Sequence, residues 1–134
     1  MMHNKIVFTN GCFDILHVGH VSLLDFCKSL GGKVIVGLNS DASVKMLKGE
    51  ARPYNTCEDR KKILESLRFV DEVRVFEEET PYEILKEIQP DIIVKGGDYR
   101  PEDVVGNDLA KVIIFNYISG KSTSLILDKI KEQP

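Results

Sequence analysis

Residues 9–20 read TNGCFDILHVGH and hold two of the chain's three histidines, His17 and His20, set three apart around Gly19. They follow directly on an apolar run, KIVF. Three kinds of chemistry suit such a pair. Cys12, His17 and His20 are all zinc-ligand types, but there is no HExxH pattern and no evident fourth ligand, so no tightly bound zinc is expected. The imidazoles could instead be structural, capping a helix or sitting satisfied in the core. Beside a helix start they could also donate to phosphate oxygens. There the helix N–H groups and dipole favour an anion, and Gly19 lets a ligand approach the backbone.

Other residues fit the same chemistry. Lys45, Lys48 and Arg52 lie in the loop-like stretch SVKMLKGEARP, either as cations for a phosphorylated ligand or as a solvated charged loop. Asp14 and Asp98 are carboxylates suited to oxygen-coordinated Mg²⁺, with capping of the first helix as the other use of Asp14. Gly120-Lys121-Ser122-Thr123 matches the tail of a Walker A loop, but Phe115 stands where the motif needs its first glycine. Ser122 and Thr123 are better placed to open a final helix, capping it, donating to phosphates, or both. The run Glu77-Glu78-Glu79 reads as a solvated loop, and the three cysteines as packing residues.

These residues need a frame, and the pattern supplies one. Five apolar runs, KIVFTN, GGKVIVGLN, EVRVF, DIIVK and KVIIFN, read as strands. Between them lie helical stretches. The first runs from about Gly19 to Leu30, with Val21, Leu24, Phe26 and Cys27 as its inner residues. CEDRKKILESLRF follows with Ile63, Leu64 and Leu67 inward and a Thr56/Asp59 cap. In TPYEILKEI, Thr80 is the expected cap and Pro81 the first helical residue. STSLILDKIKE closes the chain. Alternating strands and helices predict an α/β fold: a Rossmann-like, doubly wound sheet of about five parallel strands with helices on both faces. Ligands then bind beyond the carboxyl ends of the strands. Asn10-Gly11-Cys12, Asn39-Ser40-Asp41, Lys95-Gly96-Gly97-Asp98 and Asn116 onward to Thr123 all fall there, with both histidines.

Composition bounds the rest. The 134 residues suit one domain, residues 1–134, with 43% hydrophobic and 29% charged residues. A net charge of -3 argues against a general nucleic-acid binder. No apolar run reaches membrane-spanning length, and none opens the chain as a signal peptide would. With an odd cysteine count, a reducing cytoplasm is expected.

HVGH within GCFDILHVGH resembles the HxGH signature of the cytidylyltransferase-like nucleotidyltransferases. TNGCFDILHVGHVSLL, VGLNSDASVKMLKGEARPYN, VKGGDYRPEDVVG and GKSTSLILDKI together are similar to the adenylyltransferase domain of ADP-heptose synthases, over most of the chain. The sugar kinase domain often fused ahead of that unit is missing here, which suggests a stand-alone transferase. The resemblance implies a sugar 1-phosphate, D-glycero-β-D-manno-heptose 1-phosphate, taking a nucleoside monophosphate from ATP with loss of pyrophosphate, aided by Mg²⁺, in a homodimer. It implies catalytic roles for His17, His20 and Lys48. Nucleotide contacts would come from Gly11, Cys12, Phe13, Lys95, Gly96, Ser119, Ser122 and Thr123. Substrate contacts would come from Lys45, Arg52, Arg60, Arg68 and Asp98; for Arg60 and Arg68 a surface position is the alternative. A CTP-dependent glycerol 3-phosphate cytidylyltransferase is the neighbouring alternative, and a catalytically silent nucleotide-binding module one of another class. Asn116 and Tyr117 stand where the cytidylyl pattern carries an arginine and its neighbour, which favours ATP over CTP.

Overall fold

The computed structural model describes residues 4–116 and 129–131. Ser119, Gly120, Lys121, Ser122, Thr123 and Tyr117, with the expected final helix start, lie outside the described residues. Five strands form one sheet: β1 (Ile6–Gly11), β2 (Lys33–Asn39), β3 (Glu72–Phe76), β4 (Ile92–Gly96) and β5 (Lys111–Phe115). All pairings are parallel and the order is β3-β2-β1-β4-β5. The winding therefore reverses between β1 and β4, the switch point at which doubly wound sheets open a crevice.

Alternation along the strands builds two cores. Val7, Val34, Val36, Leu38, Val73 and Val94 pack against Leu23, Leu24 and Cys27 of α1 (Val18–Ser29) and Leu64 of α3 (Cys57–Glu65). Phe8, Ile35, Phe76 and Ile93 face the other way, against Ile84 and Leu85 of α4 (Tyr82–Ile88) and Val104, next to a 3₁₀ turn at Pro101–Asp103. Helices thus cover both faces, as the apolar runs require.

Three local expectations change. SVKMLK is not a loop but the body of α2 (Asp41–Lys48), capped by Ser40 Oγ accepting from the Ser43 amide at 3.1 Å. Only Ser43 and Val44 of it are buried, so its apolar period is too thin to read. The α3 helix does cap on Thr56, but it stops at Glu65 and turns Arg60 and Leu64 inward, leaving Ile63 41% exposed. The α4 helix starts one residue late, at Tyr82, and Thr80 makes no capping bond.

The sheet also needs an absence. A Cβ on Gly37 of β2 would lie 2.6 Å from Cζ of Phe8, itself fully buried. Gly37→Ala is expected to lower the urea midpoint, at a cost of about 1–3 kcal/mol from overpacking; an unchanged midpoint would show that Phe8 can yield.

Candidate active site

At the switch point a cleft of about 630 Å³ opens over the carboxyl ends of β1 and β4. It runs from the α1 face, with Phe13, His17 and His20, across Asn10, Gly11, Lys95 and Gly96, to Pro81, Val104 and Val105 on the α4 face. Lys48 and Arg52 line it as well.

The histidines are built into the start of α1. The His17 Nδ1 accepts from the Gly19 amide at 3.0 Å, and the His20 Nδ1 accepts from the His17 amide at 3.2 Å. This is a capping box in which two imidazoles take the usual serine and glutamate roles. The structural use of the pair is therefore real, and it engages one nitrogen of each ring. With each Nδ1 accepting, the proton of each neutral ring sits on Nε2, a donor. Helix capping falls to His17 and not to Asp14, and the Gly19 amide is spent inside the cap.

The rings stack at 3.8 Å, and Phe13 packs on His20 at 5.1 Å. Burial, then the neighbouring His17 and Lys48, push His20 down to about 4, and burial lowers His17 as well. Both rings are neutral donors at pH 7. Burial, with Lys48 adding to it, also lowers Lys95, whose ammonium lies 4.8 Å from the centre of the Tyr99 ring. Burial raises the Cys12 thiol against the pull of Lys48, Arg60 and Arg52, so it stays protonated.

Two other candidates turn out to hold the cleft together. Arg60 is fully buried. Its Nε donates to the Asn55 carbonyl at 3.0 Å, and its Nη1 to the carbonyls of Cys12 and Asn39 at 2.8 and 2.9 Å. Its Nη2 donates to Asp41 Oδ1 at 2.9 Å. Fully buried, with four of its five N–H donors held by the protein, Arg60 is corrected from a surface residue or phosphate ligand to an internal tie. Asp14 is corrected likewise. Its side chain is 0% exposed and accepts from Arg52 Nε at 2.9 Å and from the amides of Tyr54 and Asn55 at 2.6 and 2.9 Å. A carboxylate so saturated, against a guanidinium, is no place for Mg²⁺. Burial alone would raise its carboxyl, but the two amides and Arg52 outweigh that and hold it below the usual range.

Of the remaining candidates, Gly11, Cys12 and Gly96 line the cleft, whereas Lys45, Arg68 and Asp98 are exposed and do not. Arg68 follows α3 and leads toward the amino end of β3, the far edge of the sheet. Among the described residues no three His, Cys, Asp or Glu side chains gather to hold a metal, and no helix is long and apolar enough to cross a membrane. Leu47, Glu79, Thr80, Tyr99 and Asp103 line the cleft without having been assigned to the site. Thr80 reads as a cap and Glu79 as part of a solvated run, while Leu47, Tyr99 and Asp103 sit in blocks where neighbouring lysines, glycines and an aspartate draw the assignment.

A parallel sheet wound in this order is a doubly wound, Rossmann-like architecture, here with paired histidines at the first helix start. Residues 8–131 match the cytidylyltransferase-like family, and the chain belongs to it. The bifunctional protein HldE of Wolinella succinogenes is 57% identical over 128 residues, which make up 95% of this chain and 27% of that protein. HldE of Aliarcobacter butzleri is 56% identical over 135 residues, 98% of this chain and 28% of that one. The chain thus spans little more than a quarter of the length of these relatives. Among solved structures, a lipopolysaccharide core biosynthesis protein from Thermoplasma volcanium superposes with a TM-score of 0.71 at 26% identity, covering 87% of this chain and 98% of that one.

Two outcomes follow. Arg60→Met should cost about 3–5 kcal/mol of unfolding free energy in urea, because it leaves three carbonyls without their donor and takes the ion-pair partner from Asp41, which keeps the Cys57 amide. Arg60→Lys should recover only part of that, since a point ammonium cannot span the guanidinium fork. For His20, an unfolded chain takes up a proton near 6.5 that the folded ring refuses until about 4. Stability is then fully present above pH 6.5 and falls as the pH drops from 6.5 toward 4. Urea midpoints of the wild type and His20→Gln across pH 7 to 4.5 check this, and the variant should lose much of the slope.

Proposed function

We propose that the chain transfers the adenylyl group of ATP to a sugar 1-phosphate, D-glycero-β-D-manno-heptose 1-phosphate, with release of pyrophosphate. The observation that carries it is the convergence of His17 and His20, neutral and held by their Nδ1 atoms, with Lys48, Arg52 and Lys95 on one cleft at the switch point. The family membership and the HldE relatives support the same reading.

The reaction asks for little covalent help from the protein. A phosphate oxygen of the sugar 1-phosphate attacks the α-phosphorus of ATP. A new P–O bond forms, the bond to the α–β bridging oxygen breaks, and pyrophosphate leaves with that electron pair. The nucleophile is already an anion, so no strong base is required. The demand is to hold two polyanions together and to meet the charge that develops on the α-phosphate and the leaving group. His17 and His20 donate to those oxygens, and Lys48, whose charge is felt at His20, Cys12 and Lys95, neutralises the leaving pyrophosphate. Arg52 takes the sugar phosphate. Gly11 and Gly96 line the cleft beside the strand ends, where the nucleotide would lie.

Mg²⁺ belongs to this reading as the counter-ion of the triphosphate. The described residues do not form a protein-held site for it: Asp14 is saturated and Asp98 lies off the cleft. Action in the cytoplasm as a homodimer completes the proposal.

Pyrophosphate release measured with ATP or CTP, against heptose 1-phosphate, other sugar 1-phosphates and glycerol 3-phosphate, tests the assignment. The highest specificity constant is expected for ATP with the heptose. Higher values with CTP and glycerol 3-phosphate would move the chain to that activity, and no release with any pair would leave a nucleotide-binding module. His17→Asn and His20→Gln keep a side-chain acceptor for the capping box and replace each ring N–H by a flexible amide donor that the cap does not preorganise. Each should keep the melting temperature near that of the wild type and lose about 10²–10³-fold in turnover, the usual effect of one preorganised donor.

A further inference from the structure

We propose that Asp14 is a positioning residue for Arg52: it clamps the Arg52–Asn55 loop from beneath and fixes the guanidinium side-on, with its terminal amino groups presented to the phosphate of the acceptor. This rests on the nucleotidyltransferase reading above and extends it to a residue that touches neither substrate.

The geometry sets Asp14 apart from an ordinary ion-pair partner. Surface pairs contribute little, but the Asp14 side chain is 0% exposed and that of Arg52 only 17%. One oxygen, Oδ2, accepts both Arg52 Nε and the Tyr54 amide, while Oδ1 accepts the Asn55 amide. A single carboxylate therefore sets the Arg52 side chain and the backbone two and three residues further on. The next carbonyl, that of Asn55, is held by buried Arg60, so the loop is pinned from two directions. The Tyr54 ring lies under the guanidinium at 4.8 Å and limits its swing.

Engagement through Nε matters. A carboxylate most often takes arginine by two parallel N–H bonds, which would consume the fork. Here, among the described residues, Asp14 takes only Nε, and both terminal amino groups remain for the cleft that Arg52 lines. An arginine held this way meets a phosphate with its side-chain entropy already spent, so the benefit appears in substrate affinity.

Asp14 itself is forced into place. Its neighbours Phe13 and Ile15 adopt left-handed backbone, at φ 48 and 65. For a β-branched isoleucine that conformation is a genuine outlier. Strain of this kind persists where surrounding structure over-determines it, and it clusters at functional sites.

Calorimetric titration with heptose 1-phosphate and, separately, with inorganic pyrophosphate tests the assignment. Wild type is compared with Asp14→Asn, Arg52→Gln, the double variant and Asp71→Asn. Asp71 holds Lys28 and the Val34 amide at the opposite end of the sheet, so its variant controls for general loosening. Asp14→Asn and Arg52→Gln should each weaken heptose 1-phosphate about tenfold, and the double variant should be no weaker than Arg52→Gln alone. Pyrophosphate affinity should stay within about twofold of wild type, as should both affinities of Asp71→Asn. Additive losses, or an Asp14→Asn affinity equal to wild type, would overturn the positioning role and leave the adenylyltransferase reading standing. Failure of the wild type to bind either probe would overturn both. A measurement without variants guards against a misfolded Asp14→Asn. The Arg52 Nε–H resonance of the wild type should exchange slowly with solvent before and after ligand is added, and a fast-exchanging, averaged signal would refute the clamp.

Discussion

One buried guanidinium ties the active edge of this fold together. A parallel sheet delivers strand ends to the same edge but does not fix the loops that leave them. Arg60 does so by reaching from α3 to the carbonyl of Cys12 after β1, of Asn39 at the end of β2 and of Asn55 before α3, and to the first side chain of α2. Burying such a charge is costly, and it is tolerated only because a carboxylate and three carbonyls satisfy it. The result is that Lys48 at the end of α2, Arg52 in the following loop and the HVGH helix start are referenced to one point.

Around that point lies a polar layer with few loose ends. Asn39 Nδ2 donates to Ser43 Oγ at 2.9 Å, and Ser43 Oγ in turn donates to the Glu78 carbonyl at 2.8 Å. The Ser40 amide bonds the Phe76 carbonyl at 3.0 Å. This joins the ends of β2 and β3 and sets Glu79 and Thr80 on the cleft wall. The amino-terminal edge is organised differently. There Lys28, Lys33, Asp71 and Glu72 form half-exposed pairs that add little to stability. The buried polar investment is concentrated where the ligand is expected.

How much of this the sequence disclosed depends on how local each signal is. Strand runs and the alternation of strands with helices are local, and the five strands and the carboxyl-edge cleft followed from them. The HxGH pair is local too, and both rings do reach the cleft. The α2 helix was missed because one buried valine gives no period. Thr80 carries a strong capping signature, but the chain bends one residue later and spends it on the cleft instead. Asp14 and Arg60 failed for a different reason. Their partners are 38 to 41 and 5 to 48 residues away. A carboxylate destined for a metal and one destined for an arginine look alike until the fold brings those partners in. Arginine on a helix likewise reads as surface or ligand contact, since full burial is rare for it.

The same economy bears on the histidines. Two imidazoles stacked at 3.8 Å cannot both carry a proton cheaply, and the nearby Lys48 raises that cost further. They are thus held as neutral donors in a site whose fixed charge comes from lysine and arginine. A permanent charge grips any polyanion, substrate and product alike. A neutral, oriented N–H gains most where negative charge grows during the reaction, because its worth rises with the charge it meets. The capping box makes that orientation part of the helix start: the backbone amides hold both Nδ1 atoms, so in the proposed reaction the donors need no reorganisation when the α-phosphate is attacked. In the proposed reaction the placement of the two kinds of group divides the labour, cations recruiting the phosphates and imidazoles meeting the transition state.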